Sequence, residues 1–199
     1  MKKFVVALFA ALSISAVAAP AMAQNLVELQ VLARPRPALC LDGYLAGQFP
    51  DSPYGLAGAF AVMDTWAEAY AGPTWAPAPW GGVMAGVGVE QWAGVLVPRF
   101  AALGWVSAGK LSASLLVEAN PHVSDDFLAA SFYSFTGLYQ AGESVKLGLK
   151  SQMALGTGPL VMVKVPGTPL SAYAAWTPAL IETMTASPSN YLLGIKTDI

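Results

Sequence analysis

The stretch "GLAGAFAVMDTWAEAYAG", Gly55 to Gly72, decides how this chain is read. Leu56, Phe60, Met63 and Tyr70 recur at spacings of four, three and seven, the recurrence of one helix face. The many alanines favour helix, and Gly72-Pro73 supplies a stop. Asp64 and Glu68 fall one turn apart on another face. With no base, metal or nucleophile beside them they read as a wet helix face rather than an acid–base pair. The stretch therefore predicts one Ala-rich helix near 55–71.

Directly after it comes "GPTWAPAPWGG", a Trp/Pro-rich connector at 72–82. Proline stiffens such a segment, so Trp75 and Trp80 lose little freedom on meeting a ligand, a lipid interface or a partner. The competing reading is that both rings fold back and plug one end of a core. With Trp66 and Trp92, they form the candidate ligand-binding set.

Beyond the connector the periodicity becomes two. "VMAGVGVEQW" alternates from Val83, and "AGVLVPRFAALGWVSAG" is ambiguous, with Pro98 breaking any single long helix. "KLSASLLVEA" and the aromatic-rich "SFYSFTGLY" read as strands. "SVKLGLKS" places Val145, Leu147 and Leu149 on one face and Lys146, Gly148 and Lys150 on the other. With "LVMVKV" it predicts a hairpin joined through Gly156-Thr157-Gly158. "PALIETMTA" reads as a short helix and "YLLGIKTDI" as a terminal strand. The echo between "LGLKSQM" and "LGIKTDI" reads as two edge strands with lysines outward.

Before the helix, "NLVELQVLARPRP" opens as a strand and stops at its prolines, and "LDGYLAGQFPDSPYG" reads as a loop region. Arg34 and Arg36 read as a solvated extended segment. The N-terminus has Lys2 and Lys3, an apolar run and "AMA" at 21–23, the pattern of a secretory signal peptide cleaved after Ala23. The segment 24–199 is then a single exported domain of roughly 176 residues. Exported protein would be periplasmic or secreted, with the outer membrane as the alternative location.

Only 11% of residues are charged and 55% are hydrophobic, against about 25% charged in ordinary soluble domains. Either much of the surface meets lipid or a partner, or Ala and Gly dilute the apolarity. A slightly acidic chain without clustered cations excludes a nucleic-acid partner. A lone Cys40 allows no internal disulfide and reads as a buried thiol. No run reaches the roughly twenty apolar residues of a transmembrane helix.

Catalytic motifs fail one by one. "GWVSAGK" has phosphate-loop spacing but is followed by Leu111, where Ser or Thr would hold magnesium. His122, the single histidine, with Asp125 and Asp126, is too sparse for a metal site and reads as a polar loop. The G-x-S-x-G elbow is absent, so a hydrolase using His122 has no identified serine.

The sequence thus predicts an α+β protein, one helix near 55–71 on a mostly antiparallel sheet in the second half, with a small outer-membrane β-barrel of eight strands as the alternative. Its expected role is exported cell-envelope binding or interaction, through an apolar or aromatic surface, with no cofactor and no metal. Expected partners are an apolar or sugar-like small ligand or another envelope protein. Membrane-surface contact and oligomer formation stay open, and enzyme activity, as a secreted hydrolase, is the remaining alternative.

Overall fold

The computed structural model describes residues 26–33, 37–64, 66–92, 94–121, 131–153, 155–178 and 190–198. The signal-peptide segment, His122 with Asp125 and Asp126, and all of the predicted 178–186 helix except Pro178 lie outside the described residues.

Twelve antiparallel strands close into one barrel: β1 (Leu26–Ala33), β2 (Ala38–Gln48), β3 (Tyr54–Met63), β4 (Trp66–Ala78), β5 (Gly81–Trp92), β6 (Val95–Ala108), β7 (Leu111–Ala119), β8 (Ser131–Gln140), β9 (Val145–Gln152), β10 (Gly156–Lys164), β11 (Leu170–Thr177) and β12 (Asn190–Asp198). Each strand pairs with its sequence neighbours, and β1 pairs with β12 from Leu26↔Asp198 to Ala33↔Tyr191, which removes every sheet edge. The α+β expectation is therefore wrong, and so is the strand count of its barrel alternative.

The predicted helix is two strands. Leu56, Gly58, Phe60 and Val62 point outward along β3, whereas Ala57, Ala59, Ala61 and Met63 point inward. Asp64 takes a left-handed φ of 41° at the β3–β4 turn. Both faces of β3 are apolar, so the period-two signal vanishes and alanine content imitates helix. The predicted loop "LDGYLAGQ" is most of β2, and Pro98 sits within β6, in register with Val89. The phosphate-loop lookalike is the end of β6 and a two-residue turn, Gly109-Lys110, joining Ala108 to Leu111. Gly109 has φ 58°, a conformation that glycine adopts without strain.

The second-half strands run where the alternation places them, but inside out. Leu147 and Leu149 face outward and are 49% and 43% exposed, while Lys146, Gly148 and Lys150 face the interior. The same holds in β12, where Leu193 and Ile195 are exposed and Lys196 is inward. The lysines read as edge guards guard no edge. Every Asp, Glu, Lys and Arg within the strands falls at an inward register position.

Between its rims the outer face is predominantly apolar, with Val87, Leu96, Phe100, Leu115, Val161 and Leu193 exposed on it. A soluble monomer rarely exposes a contiguous apolar patch beyond a few hundred Å². Aromatic side chains mark both rims: Tyr54 and Trp75, paired in register, with Trp80 and Tyr139 at one end, and Trp176 paired with Tyr191, with Tyr133, at the other. An apolar band between two aromatic girdles is the outer surface of a transmembrane barrel. At 8 to 14 residues, the tilted strands suit a bilayer.

Candidate functional site

With lipid-compatible residues outside, the chemistry of this chain lies in the lumen. Its interior is built from three kinds of lining. Two apolar clusters occupy part of the wall: Leu32, Cys40, Leu160, Met162, Tyr173 and Leu192 on the β10–β2 side, and Ala57, Ala59, Tyr70, Met84 and Ala101 across β3–β6. Small residues let the large ones lie flat. Any side chain at Gly194 would collide with the Tyr173 ring, so glycine there is what allows tyrosine to cover the β12 wall.

The second lining is a buried ion cluster on β4–β7. Arg99 reaches Glu68 (Nε–Oε2 2.8 Å), Glu90 (Nη1–Oε2 2.7 Å) and Glu118 (Nη2–Oε2 2.6 Å). All four side chains are under 10% exposed. Glu90 also accepts hydrogen bonds from Trp66 Nε1 at 2.6 Å and Asn120 Nδ2 at 2.6 Å. Nη1 and Nη2 donate hydrogen bonds to Glu90 and Glu118, and Glu68 completes the cluster as an ion pair beside Nε, so one planar guanidinium meets three carboxylates at once, which an ammonium cannot do. The cluster fastens four adjacent strands.

The third lining is polar and half-buried. Ser112 and Ser114 on β7, Ser134 and Thr136 on β8, and Lys146 and Lys150 on β9 face inward. Lys150 Nζ donates to Ser134 Oγ at 3.0 Å and Thr136 Oγ1 at 3.1 Å. A cavity of about 140 Å³ opens at the end where the chain begins and finishes, between Ser107, Lys110, Ser112, Gln140 and Lys146.

Of the tryptophans singled out in the sequence, Trp66 faces inward on Glu90. Trp75 and Trp80 are 46% and 59% exposed, the first on the outward face beside the rim where the chain termini lie and the second in the β4–β5 turn, so neither plugs the core. Trp92 closes β5, opposite Val95. The structure does not bring the four together. Sequence reasoning passed over Glu28, Asp42, Glu90, Arg99, Glu118, Lys150 and Lys196. Their signal is a charge at one phase of an apolar alternation, which in a soluble sheet marks the wet outside and here marks the lumen.

No protein-family model matches this sequence, and no curated protein does. Among solved structures, the chain is similar to a KdgM porin in complex with disordered oligogalacturonate, at 13% identity and TM-score 0.56, covering 87% of this chain and 99% of that one. It is also similar to a NanC porin in a rhombohedral crystal form, at 10% identity and TM-score 0.54, covering 88% and 100%. The fold is thus the closed β-barrel that these solved outer-membrane proteins share. This corrects the periplasmic or secreted location and the soluble binding domain expected from the sequence.

Proposed function

We propose that this chain forms a narrow passage for small polar, sugar-like solutes across the outer membrane. The observation that carries this reading is the inversion of the strands: apolar residues outward without exception to charge, and half-buried hydroxyls, lysines and carboxylates lining the lumen. Similarity to porins, one of them solved with an oligogalacturonate, supports it. The sugar-like partner expected from the sequence becomes a solute in transit. The apolar clusters narrow the lumen and so limit the solute to small molecules.

Orientation follows from loop length. The connections at the end holding the chain termini span five residues or fewer, whereas the opposite end carries the segments 120–130 and 178–189. Short turns face the periplasm and long loops the exterior in such barrels. Trp66, with the ion cluster, then lines the outer half, where a ring can stack on an entering sugar. Trp75 and Trp80 act as anchors at the periplasmic interface.

Liposome swelling tests this reading. Vesicles holding the refolded protein are expected to swell in isotonic monosaccharide and progressively less as solute size rises. Swelling no faster than that of protein-free vesicles would overturn the passage.

A further inference from the structure

One register row crosses the inner wall through the strand pairs Lys164↔Ser171↔Lys196↔Glu28↔Asp42↔Ala61↔Glu68↔Glu90, from β10 round to β5. Strands in such barrels tilt by about 40° and lie about 4.8 Å apart, so each step along the row climbs about 3 Å of the axis. Seven steps climb on the order of 20 Å, most of the hydrocarbon thickness. The row starts at the mouth, where Lys164 ends β10, and finishes in the buried Arg99 cluster.

Its middle is water-accessible and carries both signs. Lys196, Glu28 and Asp42 are half-buried and adjacent in register. Gln30 donates a hydrogen bond from its amide to Asp42, and Tyr173 shares one with Glu28. Lys150 projects from β9, three strands from Lys196, four from Glu28 and five from Asp42 round the sheet, and lies within electrostatic reach of all three. Ser134 and Thr136 hold its ammonium from behind. The two lysines are those of the "LGLK" and "LGIK" echo, so that pattern places a cation on each side of one waist.

We propose that this waist, Lys150 and Lys196 against Glu28 and Asp42, sets the selectivity of the passage and favours neutral or zwitterionic polar solutes over polyanions. The proposal rests on the reading of the barrel as a passage. A solute at the waist meets two ammonium donors and two carboxylate acceptors, a set that pairs with hydroxyls or with both ends of a zwitterion. A polyanion gains from the lysines only what it loses against the carboxylates. Arg99 offers it no further cation, because three glutamates already surround that side chain.

Planar-bilayer recordings in a KCl gradient, with heat-modifiable gel mobility confirming that each variant is folded, provide the test. The wild-type protein is expected to show a reversal potential near zero. Lys150→Gln is expected to shift the cation-over-anion permeability ratio upward by about fivefold, equivalent to about 1 kcal/mol. Asp42→Asn is expected to shift it downward by a similar factor, and Lys150→Arg to keep the wild-type value. Strong anion selectivity in the wild type, or a ratio unmoved by Lys150→Gln, overturns the waist while leaving the passage intact. Absence of conductance steps in every folded variant overturns the passage itself.

Discussion

Arg99→Met is expected to destabilise the folded barrel by about 3–5 kcal/mol, the scale for stripping one partner from a buried ion cluster. The substitution leaves Glu68, Glu90 and Glu118 facing one another with side chains at most 6% exposed and no guanidinium among them. Lysine in place of Arg99 reaches one or two of the carboxylates but lacks the planar fork that meets all three. Neutralising the glutamates at the same time removes the cause of the damage. Arg99→Met combined with Glu68→Gln, Glu90→Gln and Glu118→Gln is therefore expected to regain most of the lost stability. Urea titrations in phospholipid vesicles, followed by tryptophan fluorescence, check both statements. A single Arg99→Met that unfolds at the wild-type midpoint would show that the cluster is not holding β4–β7 together.

A second large effect is expected on the outer face. Val87, midway along β5 and 63% exposed, points away from the lumen. In water, substitution at so open a position stays within about 0.5 kcal/mol. In a bilayer, an arginine near the midplane costs about 2–4 kcal/mol, falling to about 0–1 kcal/mol near the interface. Val87→Arg is expected to show the full cost. Leu111→Arg, beside the Gly109-Lys110 turn and 59% exposed, is expected to show little. The same vesicle titrations measure the pair. Equal, small effects at the two positions would mean that the outer face does not meet lipid.

The sequence displayed the strands of this barrel more plainly than its fold. "VMAGVGVEQW" and "SVKLGLKS" alternate visibly because Gly86, Gly88 and Glu90 in the first, and Lys146, Gly148 and Lys150 in the second, face inward and contrast with the valines and leucines outside. In "GLAGAFAVM" the inward positions are glycine, alanine and methionine, so both faces look alike and helix propensity fills the gap. Alternation also carries no sign. It separates two faces without saying which one meets water, and a preference for soluble proteins assigned the apolar face to a core. The low charge content held the missing information, since lipid removes the need for a polar exterior. Twelve strands fit because the turns at one end are five residues or shorter. The lumen residues were illegible for a different reason: Lys150 and Asp42 lie 108 positions apart in sequence, and only closure of the barrel brings them face to face.

Cell fractionation with heat-modifiable gel migration bears most directly on whether this chain is an outer-membrane barrel. The expected result is protein in the outer-membrane fraction, resistant to alkaline carbonate extraction, that migrates faster unheated than boiled because the closed barrel survives dodecyl sulfate. Release in soluble form by osmotic shock, with one mobility before and after boiling, would contradict it.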